Sequence, residues 1–349
     1  MELRALYLRG MAGWWIAVIL GITPLKPGYP EQIPSVPDVQ DTSPNEGTDA
    51  ELDNDRPFHV VWRTAYSSGH HAWQVQSFDF DPVFGFADRR TRLKWEDADT
   101  WVHMIEASYL VLDWLRFEAT YGFGDIRDGE QTESDWVSDA EVRDFLLART
   151  EADHTGDVAF YQIGVAALVH EFMTLPEWSG QWELRVGYRN HEESLNSRDG
   201  VLVVDLEEDV NQPFPDLDAD YTFEWQAFYA GGQGRIALTP RWSVHGRLTA
   251  LFGVKYSGEG FFNLQSDLRS ESPNLTQRAR NGVGLEGQVA LAFHWTPAFY
   301  TEFGYTYFRV RARNGSERRY LFDDETERND LDWAKSRRTG FFIGIGGRF

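Results

Sequence analysis

The chain has no cysteine in 349 residues, so a disulfide framework and a Cys-ligated metal site are both excluded. It also has no apolar run approaching the ~18 residues that a membrane-spanning helix needs. Positive charge is in the minority: Lys and Arg total 33 against 55 Asp and Glu, a formal net charge of -22. A surface so acidic repels nucleic acid and anionic membrane surfaces alike, and favours cationic partners. The acidic stretches hold no D-x-[DN]-x-[DN]-G spacing, so no EF-hand calcium loop is present. A G-x-S-x-G nucleophile elbow is missing too.

What the chain does have is aromatic residues and glycine: 14 Trp, 14 Tyr, 24 Phe and 31 Gly. The closing stretch shows how they are used. Phe341, Ile343, Ile345, Gly347 and Phe349 alternate with Phe342, Gly344, Gly346 and Arg348, the period of a strand between two unlike environments. The pattern recurs upstream. Leu115, Phe117, Ala119, Tyr121 and Phe123 alternate with Arg116, Glu118, Thr120, Gly122 and Gly124. Trp182, Leu184, Val186 and Tyr188 alternate with Glu183, Arg185, Gly187 and Arg189. A third run, Trp242 to Tyr256, and a fourth, Val283 to Trp295, repeat it. Apolar residues on one face and charged ones on the other, over about ten residues, fit a strand with lipid outside and a polar lumen inside.

The alternation predicts an all-β, antiparallel transmembrane β-barrel of about ten strands over 58–349, in the bacterial outer membrane. Short Pro-containing turns near 175–180, 239–242 and 296–299 lie beside aromatics and read as periplasmic. Polar stretches near 79–92, 125–156, 190–219, 257–282 and 312–336 read as long extracellular loops. Residues 1–25, with Arg4 and Arg9 ahead of a short apolar run, read as a signal-like segment. Residues 26–57 read as a disordered acidic linker. Counting alternate positions places Arg116, Glu118, Glu183, Arg185, Arg247, Lys255, Glu286, Arg309 and Arg311 on the lumen face, with His245 and His294. Side chains of that size fill a narrow barrel and put function at its outer mouth.

Several short motifs, in shared order, resemble the omptins, outer-membrane endopeptidases built as ten-stranded barrels. They are Lys94-Trp95, Glu133-Ser-Asp135-Trp136, Gly187-Tyr188, Lys255-Tyr-Ser-Gly258 and Thr296-Pro297. The resemblance implies that water is activated between an acidic pair and an Asp-His pair across the mouth. By motif, Asp135 matches the second Asp of D-x-D-W, and Glu133 stands where the first would be. Asp267 matches the Asp of the second pair, while Arg269 occupies the His position. An arginine keeps its proton in a protein and cannot serve as a general base. It can instead pair with Asp267 or stabilise developing negative charge. The resemblance also implies a lipopolysaccharide clamp on the outer wall; Tyr188 matches one member, while Asn190 and Glu192 depart from it. No other cofactor is implied. Three readings follow: a mouth that binds cationic peptides with weak or altered endopeptidase activity, a non-proteolytic adhesin or structural barrel, and a narrow channel.

Overall fold

The computed structural model describes residues 57–81, 85–138, 145–175, 178–205, 212–265 and 267–349. The expected signal-like segment and nearly all of the expected linker lie outside them. Ten strands account for almost everything described: β1 (Phe58–Asp81), β2 (Gly85–Leu112), β3 (Leu115–Ser138), β4 (Phe145–Leu175), β5 (Trp178–Asp205), β6 (Gln212–Thr239), β7 (Trp242–Phe261), β8 (Leu275–His294), β9 (Phe299–Tyr320) and β10 (Thr326–Arg348). Each pairs antiparallel with its neighbours in sequence, and β1 pairs with β10, from His59↔Arg348 to Gln76↔Asp330. The sheet is a closed barrel and has no edge strand. In a bilayer that is what closure achieves, since every backbone donor and acceptor finds a partner within the ring.

The outward residues mark the lipid-facing band. Phe58, Trp62 and Tyr66 on β1, Trp101, Ile105 and Tyr109 on β2, and Phe341, Ile343 and Ile345 on β10 are all exposed. The band takes about ten residues per strand, as a tilted membrane strand requires. The strands run from 20 to 31 residues, so they continue well past it at one end, here called the mouth. At the other end, the floor, β2 passes to β3, β4 to β5 and β6 to β7 through two-residue connections, and β8 to β9 through four.

The continuation corrects one expectation. Most of 125–156 and 190–219 is not loop: β3 runs to Ser138, β4 starts at Phe145, and β5 runs to Asp205. Their acidic residues stand on strand walls above the membrane. Glu193 is turned inward, buried beside His191 and Arg338.

The register of β7 and β9 corrects a second expectation, the lumen positions of Lys255, Arg309 and Arg311. On β7 the pairing slips between Leu251 and Val254, where Gly253 sits at φ +59. Below the bulge Arg247 faces the lumen; above it Tyr256 does, and Lys255 is exposed on the outer wall. On β9 the inward series is Tyr300, Glu302, Phe308, Val310 and Ala312, all buried. Arg309 therefore points outward, exposed, and Arg311 lies on the same outer face against Trp333. The β7 bulge adds one residue and swaps the two faces beyond it, whereas on β9 the alternation is unbroken from Tyr300 to Ala312 and itself puts Arg309 and Arg311 outside.

The lumen is filled in two layers. Towards the floor lies an ionic layer in which Glu106 receives Arg63 and Arg247, each at 2.9 Å. Arg185 reaches Glu118 at 3.1 Å, and Arg189 reaches Glu286 at 2.8 Å. Nearer the mouth lies an aromatic layer. His71 stacks on Phe223 with ring centroids 3.6 Å apart, Trp95 on Tyr221 at 4.8 Å, and Trp225 meets Tyr256 at 4.6 Å. All six rings are almost wholly buried. Among the described residues, a lumen packed this way leaves no open water-filled bore through the aromatic layer.

Candidate functional site

Above the aromatic layer the inner wall carries a carboxyl pair. On β3 the pairing slips between Ile126 and Glu130, so that Gln131, Glu133 and Asp135 turn inward. Thr91, opposite on β2, donates its hydroxyl to Asp135 Oδ1 at 2.6 Å. Glu133 and Asp135, two residues apart on one strand face, are half-buried neighbours.

Across the mouth stands β9. There the inward series changes from even to odd positions around Asn314, at φ +54, so Glu317 and Arg319 face inward although Arg309 and Arg313 do not. Glu317 is completely buried. It accepts from Arg319 Nε at 2.8 Å and from Gln277 Nε2 at 2.6 Å. Gln277 in turn accepts from the Tyr221 hydroxyl at 2.7 Å. The aromatic layer and the mouth are thereby one hydrogen-bonded unit.

Electrostatics separate the two sides. Burial raises the Glu133 carboxyl to about 8, and the adjacent Asp135 adds to the rise, while Arg319 opposite offsets part of it. Burial also raises Asp135, against the Thr91 hydrogen bond and the pull of Arg319 and Arg89. These are the signs expected when two acids share a partly dry site and one retains its proton. Arg319 is tied to Glu317, and among the described residues neither Glu133 nor Asp135 has an ion-pair partner.

Asp267 and Arg269 lie elsewhere, in the connection between β7 and β8. Asp267 is exposed, and its carbonyl accepts from the Phe322 backbone. Arg269 lies over the Tyr320 ring at 4.2 Å and donates from Nε to the Pro273 carbonyl at 3.0 Å. Among the described residues no ion pair joins Asp267 to Arg269. Their loop is pinned to the β9–β10 connection by the Leu268↔Leu321 bridge. The residues facing the carboxyl pair, Glu317 and Arg319, went unread in the sequence. The Asn314-Gly315 dipeptide was the available signal, because Asn and Gly together mark a place where the backbone turns left-handed.

Of the histidines, His245 and His294 face the lumen as expected, and His71, His154 and His191 are buried. None is seen bonded to Glu133 or Asp135. Among the described residues no group of His, Asp and Glu has the arrangement of a metal site.

Comparison with known proteins places this geometry in context. A family model described as Pom, Protochlamydia outer membrane protein, matches residues 65–340. Among solved structures, the outer membrane protease OmpT from Escherichia coli superposes with a TM-score of 0.68 at 13% identity. The alignment covers 84% of this chain and 97% of that one. Neisserial surface protein A aligns over 84% of this chain and 97% of its own at 12% identity, with a TM-score of only 0.24. No curated protein matches the sequence. At these identities the structural likeness concerns the fold alone.

Proposed function

The chain belongs to the Protochlamydia outer membrane protein family, and from that premise we propose that its mouth faces the cell exterior and binds Lys- and Arg-rich peptides. The observation that carries the reading is the Glu133–Asp135 pair: two carboxyls on the inner wall, half-accessible, protonated in part for want of a cation. A lysine or arginine side chain entering the mouth replaces that proton and forms charge-assisted hydrogen bonds with the pair. Exposed acids on the upper walls, among them Asp128, Glu130, Asp153, Glu192, Asp218 and Asp220, concentrate such peptides before they reach it. The packed lumen below stops them there, which favours binding over passage.

The test is equilibrium binding of a fluorescent oligo-arginine peptide to the refolded barrel. Glu133→Gln combined with Asp135→Asn is expected to weaken binding about ten- to hundredfold, the usual worth of one or two charge-assisted hydrogen bonds. Affinity of the parent should also fall as salt rises. Unchanged affinity in the double variant overturns the reading.

A second reading is endopeptidase activity of the omptin kind. It is favoured by the opposition of Glu133, whose carboxyl burial raises, to Arg319 across the mouth, an acid and a cation of the kinds that general acid catalysis and charge stabilisation use. Cleavage of dibasic peptides by the parent, lost in Glu133→Gln, is the result it requires.

A further inference from the structure

The floor of the barrel holds a second charged site that the mouth does not use. A cavity of about 160 Å³ opens between the ionic layer and the short turns. Its glutamates are already engaged: Glu106 with Arg63 and Arg247, Glu118 with Arg185, and Glu183 with Arg116. Closer to the floor the cavity is lined by Arg235, Arg348, His59, His245 and Tyr300.

Arg235 is the telling residue. Among the described residues it has no carboxylate partner. Its Nη2 donates to His294 Nε2 at 3.3 Å, and its Nε is buried with no partner at all. Because His294 Nε2 accepts that hydrogen bond, its proton sits on Nδ1 and the ring is neutral. The remaining neighbours extend the cradle. Ser243 Oγ bridges His245 Nε2 and His294 Nε2, each at 2.9 Å. His59 Nε2 lies 2.7 Å from the Tyr300 hydroxyl. Arg235 is partly exposed at the cavity wall, so its terminal nitrogens are open to a solute in the cavity while its Nε is shut off from both solvent and partner.

We propose that this floor cavity binds a small doubly charged oxyanion, a free phosphate or phosphomonoester, with Arg235 as its principal donor. The planar guanidinium presents paired N–H groups that match two oxygens of a phosphate. The histidines and Tyr300 on the same wall can donate to the remaining oxygens. The position fits a solute entering from the floor side, since the aromatic layer separates it from the mouth. It is independent of the peptide reading.

Isothermal titration of inorganic phosphate into the full refolded chain, in uncharged phosphate-free maltoside micelles, tests this directly. The parent should show saturable binding of one phosphate per barrel. Arg235→Gln should weaken it about ten- to hundredfold, the worth of the lost charged hydrogen bonds, while the barrel stays heat-modifiable on gels. Arg235→Lys, which keeps the charge and should assemble even if Arg235→Gln does not, should still bind at least about threefold more weakly, because a point charge lacks the paired donors. No saturable binding by the parent overturns the proposal, as does affinity unchanged in Arg235→Lys and Arg235→Gln. Glu133→Gln at the mouth should leave phosphate affinity as it is; loss of binding there would mean that phosphate reports on something other than this cavity.

Discussion

Replacing Glu106 by leucine removes the acceptor at the centre of the ionic layer. Among the described residues Arg247 then keeps only a 3.3 Å hydrogen bond to Gln233 and loses its carboxylate partner, while Arg63 retains Glu302 at 2.5 Å. Side-chain exposure of Glu106 and Arg247 is 10% each, so water cannot readily take the place of the carboxylate. Removing one partner of a buried pair costs about 3–5 kcal/mol, largely because the other charge is left uncompensated. Removing both partners with an apolar pair of similar size is far milder. Glu106→Leu is therefore expected to lower stability by about 3 kcal/mol or more, and Glu106→Leu with Arg247→Leu by distinctly less than the single change. Urea unfolding of the barrel in lipid vesicles, followed by Trp fluorescence, measures both. A single variant within about 1 kcal/mol of the parent would refute the idea that this layer is a dry, charge-balanced plug.

Two further outcomes follow from the wall. Ile343→Asp with Ile345→Asp puts two acids among exposed lipid-facing residues. Each is expected to cost somewhat less than the ~2–4 kcal/mol of Arg or Lys at mid-bilayer, and gel mobility before and after heating should show loss of the folded form. Gly253→Val forces a β-branched residue into φ +59, a cost of at least about 1–2 kcal/mol. Its unfolding midpoint should drop, and Arg247 or Tyr256 should lose its inward place.

The wall was legible in the sequence because lipid selects one face so strongly. Phe341, Ile343 and Ile345 stand outside as their alternation requires, and Trp182, Leu184 and Val186 do the same on β5. The inner face was legible only as far as the first bulge on each strand. A bulge leaves the composition almost unchanged while exchanging inside for outside. That is why Lys255 was counted into the lumen and Glu317 and Arg319 were not; Arg309 and Arg311 lie before the β9 irregularity, on the outer face that the unbroken alternation from Tyr300 to Ala312 gives them. The acidic runs misled for a related reason. Strands that rise above the bilayer face water on their outer side, so their composition looks like that of loops. Glu133 and Asp135 were singled out through a motif, which says nothing of their surroundings. Their unlike neighbours, the raised carboxyl and the committed Arg319 could be seen only once β3 and β9 were set opposite one another.

The central claim is that a cationic side chain displaces a proton from the Glu133–Asp135 pair, and the affinity of an oligo-arginine peptide measured from pH 6 to pH 9 tests it most directly. The peptide binds the deprotonated pair, so burial, which raises Glu133 to about 8, weakens apparent binding at every pH below that value. Each pH unit below it should cost up to about tenfold, so affinity rises roughly 10–100-fold between pH 6 and pH 8 and levels off above. Glu133→Gln should flatten the profile. An affinity that is level from pH 6 to pH 9 in the parent, or equally steep in Glu133→Gln, would contradict the account.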